Sequence, residues 1–180
     1  LEFLIREKPT LVAFDTEGSG LQMEGSENLR WYSPDAKLLT LQFCIEPGKA
    51  YMLPWDHKDS KFTARQKSRL KQQIIQLCCN ENVTVIGQNL KFDALMLWAQ
   101  LDIRLRIGGD TLLLAALLDE NALTKNLDDL VKRYVPEMAG YADRFNATVD
   151  KSQMDKLPLD ERFLDYGCGD ADASFRLYDV

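Results

Sequence analysis

Residues 10–16 (TLVAFDT) are apolar through Phe14 and then turn acidic, and they predict a strand built to be buried. KLLTLQFCIE (37–46) and KAYMLP (49–54) predict two more strands, joined at Glu46-Pro47-Gly48, whose residue types favour a tight turn. Between residues 63 and 80, Leu70, Ile74 and Leu77 recur at three- and four-residue spacing, which predicts an amphipathic helix. VTVIGQ (83–88) reads as a short β-branched strand that Gly87 ends, and the pattern from Phe92 to Leu101 turns helical again. A very apolar helix is predicted over 110–120 with Asp110 as its N-cap, and a shorter one over 126–135 that Pro136 stops. A last helix covers 158–180, with Pro158 near its first turn. Gly18 to Ala36 reads as a long loop, 136–156 as irregular structure, and a short strand is expected near Leu105. Three strands, a crossover helix and a parallel strand make an α/β mixed sheet flanked by helices.

At 180 residues the chain reads as a single domain spanning 1–180, with ordinary apolar and charged fractions. It begins at Leu1, enters structure almost at once and ends inside a predicted helix, so it is expected to be excised from a longer protein. No apolar run has the length of a membrane span. Cys44, Cys78, Cys79 and Cys168 form no C-x-x-C pair, which argues against zinc and for reduced, packed thiols in a cytoplasmic setting. The net charge of −6 is unfriendly to a generic nucleic-acid binder. A nucleic-acid substrate would therefore need metal ions for neutralisation, or only a few nucleotides gripped.

Acids stand in three places where a core would not want them. Asp15 and Glu17 lie two apart on a strand and so project from one face. Asp93 falls in the first turn of a helix whose following residues are apolar, and Tyr166 and Asp170 share a helix face at four-residue spacing. Asp172 points roughly the other way and is expected to be solvated. Each feature alone has an ordinary reading, as a strand-end pair, a helix-dipole partner and an exposed pair. Four carboxylates converging from a strand end and two helices require cations, and hard oxygen ligands suit Mg²⁺ or Mn²⁺ rather than zinc. Two such ions form the clamp used for in-line attack on a phosphodiester, and Tyr166 beside Asp170 is placed to orient or deprotonate the water.

Taken together, FDTE (14–17), GQNLKFD (87–93) and YGCGDAD (166–172) resemble the three motifs of the 3′–5′ proofreading exonuclease domain of family A, DNA polymerase I-like, DNA polymerases of the DEDDy group. The similarity covers nearly the whole chain. It implies an RNase H-like fold and hydrolysis of single-stranded DNA 3′ ends to nucleoside 5′-monophosphates, with a polymerase domain in the same parent chain as partner. Carried over by position, the two-ion metal ligands are Asp15, Glu17, Asp93 and Asp170, with Tyr166 positioning the water. Leu21 falls on the apolar side chain at the terminal base, Gln88 and Asn89 on polar groups near the substrate, and Thr16 on a residue offering backbone contacts. Gly18 replaces a hydroxyl residue and Phe92 a frequent tyrosine, departures that touch no ligand position. Sister exonucleases carry a histidine where this chain has Tyr166, and His57, in the polar segment WDHKDSK, is expected at the surface.

Lys58, Lys61, Arg65, Lys67, Arg69 and Lys71 are the one basic concentration, read first as a solvated helix face. Tyr141, Arg144 and Phe145 are candidates for touching a strand, and Trp31 and Tyr32 either pack their loop or stack on bases. An RNA-trimming exonuclease similar to ribonuclease D, and a non-catalytic exonuclease-like module, are the alternative readings. All four carboxylates and the tyrosine are present, which speaks against the second.

Overall fold

The structure is a computed structural model that describes residues 1–21 and 31–180. Strand β1 (Leu11–Ser19) runs antiparallel to β2 (Lys37–Glu46), which runs antiparallel to β3 (Lys49–Pro54). On its other edge β1 is parallel to β4 (Thr84–Gly87), and β4 to β5 (Ile107–Asp110). The order β3-β2-β1-β4-β5 places β1 at the centre of a five-stranded mixed sheet. The reversal between β2 and β3 turns at Gly48, whose φ of +79° lies in the left-handed region that glycine enters at no steric cost.

Helices α1 (Glu2–Arg6), α2 (Ala64–Cys78), α3 (Leu90–Leu101), α4 (Thr111–Leu118), α5 (Leu127–Tyr134), α6 (Asp143–Thr148) and α7 (Glu161–Tyr178) flank the sheet. The period-two alternation of β1 sorts its side chains between two layers. Val12 and Phe14 enter the main core with Leu41, Phe43, Ile74, Leu90, Met96 and Leu97, which joins the sheet to α2 and α3. Ala13 faces the opposite way and packs with Cys44, Ile86 and Ala171 of α7. Phe14 and Phe43 are direct cross-strand partners with ring centroids 5.3 Å apart, which pins the β1–β2 register beside the strand end. α7 packs close to the sheet at Gly167, where a Cβ would lie 2.7 Å from Met52 Cε and 2.8 Å from Gln42 Nε2, the ends of two flexible side chains.

The strands predicted at 37–46 and 49–54 lie where expected, and the predicted helices agree with the observed ones to within a few residues. Asp110 caps α4 as predicted, accepting from Leu112 N–H at 3.0 Å. The same carboxylate also accepts from Asn89 N–H and Leu90 N–H, each at 2.9 Å, so one buried side chain fixes the starts of two helices. Several expectations are corrected. A first helix, α1, precedes the strand, and β1 runs on through Ser19, so the loop begins two residues late; most of that loop lies outside the described residues. The segment 136–156 is ordered as two 3₁₀ turns, Pro136–Met138 and Lys151–Lys156, around α6.

Two polar residues expected in solvent are buried. Asp172 is 9% exposed; it accepts from Gly48 N–H at 2.9 Å and pairs with Arg176, tying α7 to the β2–β3 turn. Two residues from Asp170 it does face another way, but α7 is covered on more than one side. His57 is 2% exposed because its polar segment folds over the sheet and sets the imidazole edge-on against Phe163, 5.4 Å between centroids. Its Nδ1 accepts from Asp59 N–H at 3.1 Å, which places the proton of the neutral ring on Nε2. The four cysteines are free, and burial pushes Cys44 up to about 12, so it is an inert packing thiol.

Asp110→Ala would strand buried N–H groups at two helix starts, and is expected to lower the unfolding free energy by about 3 kcal/mol in urea titrations, with Asp110→Asn losing less. Burial lowers the pKa of His57, so the folded state prefers the neutral ring and the unfolded chain binds the proton first. The stability that wild type holds over His57→Gln is therefore complete above the ordinary histidine pKa and shrinks as the pH falls below it, measured by denaturation at each pH.

Candidate active site

The end of β1 delivers side chains to both faces of the sheet. Asp15 and Glu17, paired across the strands with Gln42 and Thr40, point to the side that carries α7. There Asp170 completes a set of three carboxylates with oxygens all within 4.8 Å of one another. Thr16, between the two acids, points the other way, and its hydroxyl donates to Asp93 Oδ1 at 2.6 Å. Asp93 lies in the first turn of α3 and is 4% exposed. The three segments that carry the predicted acids thus meet at one place, the fourth acid being tied to β1 by the threonine between the first two.

These carboxylates are short of counter-charge. Burial, reinforced by Asp93, Glu17 and Asp170, pushes Asp15 well above the usual carboxylate range. Burial and then Asp170 do the same to Glu17. Burial raises Asp93 to about 7 against the pull of the Thr16 hydroxyl, and raises Asp170 to about 6 against a hydrogen bond from Tyr141 and the charge of Lys151. Asp15 Oδ2 is buried and has no hydrogen-bond partner among the described residues. An orphaned buried oxygen inside a set of hard donors, with no imidazole or thiolate among them, is a donor set that fits Mg²⁺ or Mn²⁺.

Tyr166 lies four residues before Asp170 on α7 and is 8% exposed. Its ring stacks on Phe145 at 4.2 Å with 4° between planes, and its hydroxyl accepts from Lys151 Nζ at 2.9 Å. Phe145, expected to meet a nucleic acid, is instead 3% exposed and buttresses Tyr166 and Phe163, whereas Arg144 is exposed. Tyr141, from the same stretch, donates its hydroxyl to Asp170 Oδ1. It reaches there because Gly169 has no side chain: a Cβ would lie 2.3 Å from Tyr141 Cδ2. Lys151 is a site residue that sequence reasoning did not name, and Tyr141, expected to touch a strand, instead holds Asp170. They come from a stretch without periodicity, and the glycine at the helix position facing Tyr141 was the one local signal.

A cleft of about 380 Å³ opens onto this cluster, lined by Thr16 to Leu21 on one wall, Phe92, and Lys151, Ser152 and Met154 on the other. Leu21 and Phe92 give it apolar surface beside the carboxylates. Gln88 and Asn89 are not among its lining residues. The Gln88 amide donates to Lys125 O at 2.8 Å and accepts from the Thr111 hydroxyl, so it clips α4 and the following loop to the β4–α3 turn. Asn89, exposed at φ +53°, serves that turn. In the basic stretch, Lys67 pairs with Asp56 and Arg69 with Glu2, which fits a solvated helix face. Trp31 and Tyr32 pack edge-to-face at 5.1 Å, with Tyr32 exposed.

The fold has counterparts among solved proteins. Brucella melitensis NrnC is similar with a TM-score of 0.66 at 16% identity, over 96% of this chain and 72% of that one. It has also been solved with bound Mg²⁺ and bound to pGG. The Aedes aegypti Nibbler EXO domain gives 0.66 at 16% identity over 99% of this chain and 80% of that one. A Trypanosoma brucei RNase D:GMP complex gives 0.71 at 15% identity, over 99% of this chain and 52% of the other. Identities this low establish a shared fold, the RNase H-like exonuclease fold expected from the motifs. Residues 3–180 match the 3′–5′ exonuclease family named for DNA polymerase A, and the chain with its acidic cleft belongs to that family.

Proposed function

We propose that this chain hydrolyses the terminal phosphodiester of single-stranded DNA 3′ ends and releases nucleoside 5′-monophosphates. The observation that carries the reading is the convergence of Asp15, Glu17 and Asp170 with Tyr166, and of Asp93 through Thr16, beside a cleft that Glu17 lines. Those four carboxylates would hold two divalent cations, Mg²⁺ or Mn²⁺, which when bound supply charge neutralisation, water activation and stabilisation of the leaving oxygen. The side chains of the chain itself do the positioning. Thr16 holds Asp93 against the strand that carries Asp15 and Glu17. Tyr166, wedged against Phe145, presents its hydroxyl to a water attacking phosphorus. The water oxygen forms the new P–O bond, the bond to the 3′ oxygen of the preceding nucleotide breaks, and that oxygen takes up a proton. Leu21 and Phe92 offer apolar contact to the terminal base.

The match to a family named for DNA polymerase A supports DNA and a proofreading role, in which a polymerase delivers the frayed end and supplies most of the DNA affinity. Such delivery agrees with a net charge of −6. A second reading, RNA 3′-end trimming, is favoured by the fold shared with an RNase D solved with RNA U12 and with NrnC solved with pGG.

On 5′-labelled single strands of matched length, DNA is expected to shorten from the 3′ end with Mg²⁺ or Mn²⁺ and to remain intact with EDTA. Faster loss of the RNA strand would move the assignment to the second reading, and no shortening of either would remove both. Asp15→Ala should abolish the ladder, and Tyr166→Phe should slow it by about 10²-fold if the hydroxyl orients the water. Mn²⁺ at about 100 times its Kd should stabilise the wild type by about 2.7 kcal/mol and leave the melting temperature of Asp170→Asn nearly unchanged. Equal shifts in both proteins would place the metal elsewhere.

A further inference from the structure

We propose that Lys151 is a positioning residue of this active site, clamping the Tyr166 ring and directing its hydroxyl toward the carboxylates. The assignment rests on the exonuclease reading above. Lys151 opens the 3₁₀ turn that forms one wall of the cleft, and it is the one cationic side chain among the described lining residues. Its Nζ lies 2.9 Å from the Tyr166 hydroxyl oxygen and 4.5 Å from the ring centroid, over the face of the ring. Phe145 already covers one face, parallel at 4.2 Å, so the ammonium takes the other. The tyrosine is therefore held between an aromatic plate and a cation.

The direction of the hydrogen bond decides what this clamp does. An ammonium has donors and no lone pair, so the phenolic oxygen must be the acceptor. The hydroxyl hydrogen cannot also point at Lys151, which leaves it for the carboxylates that act on Tyr166, with Asp170 in hydrogen-bond reach. The positive charge of Lys151 is felt by Glu17 and Asp170 as well.

Acting through Tyr166 separates this role from a simple grip on substrate phosphate, which would appear in KM and persist without the phenol. Lys151 is exposed, so its replacement should leave the fold intact, checked by thermal melting. In the metal-dependent single-strand assay, K151M is expected to lower kcat about 10-fold while KM changes less than about 3-fold. K151R, which also donates and lies over aromatic faces, should recover most of the rate. In a Tyr166→Phe background K151M should add less than about 2-fold, because the oxygen it acts on is gone. Undiminished kcat in K151M, a loss confined to KM, or an equal loss in both backgrounds would overturn the assignment while the wild type stays active. A wild type that cleaves neither DNA nor RNA would remove the exonuclease reading, and this assignment with it.

Discussion

Four carboxylates crowded at the end of the central strand are the constraint to which the surrounding structure answers. Like charges brought together in a poorly solvated place repel, and each raises the proton affinity of the others. The protein supplies few of the charges that would relieve this. It holds the acids together by covalent spacing on β1 and by packing: Phe14 against Phe43 fixes the strand, and Ala171 of α7 packs on Ala13 next to Asp170. The hydrophobic core, built on both faces of β1, is what offsets a cluster that would otherwise push its own elements apart. A site of this kind is complete only with cations in it, which is why its chemistry follows from its electrostatics.

Around that cluster runs a layer of residues whose task is placement. Asp110 sets the start of α3, and therefore the height at which Asp93 emerges; Thr16 then draws Asp93 to β1. Tyr141 braces Asp170 from the far side, through the gap that Gly169 leaves. Tyr166 lies between Phe145 and Lys151. Tyr141, Phe145 and Lys151 all belong to the stretch between Pro136 and Lys156, so the least regular part of the chain forms the wall that orients the most chemically demanding groups. Loops carried on a rigid scaffold commonly do so.

The charge distribution fits the same economy. Lys67 and Arg69 of the basic stretch are engaged with Asp56 and Glu2, and the described wall of the cleft carries one ammonium. A surface that tracks many phosphates needs many free cations. One ammonium is in keeping with the short grip proposed above.

The sequence by itself determined the layers and the acids. Alternation and three-to-four spacing located the strands and most helices and put Asp15 with Glu17, and Tyr166 with Asp170, on shared faces; the resemblance of FDTE, GQNLKFD and YGCGDAD to exonuclease motifs joined Asp93 to them. Tertiary structure alone decided the burial of His57 and Asp172, the internal use of Gln88 and Phe145, and the arrival of Tyr141 and Lys151 at the site. Periodicity reports only how a residue sits relative to its own element; whether a polar side chain meets solvent, a helix or a carboxylate depends on segments distant along the chain, and those meet only when the core closes.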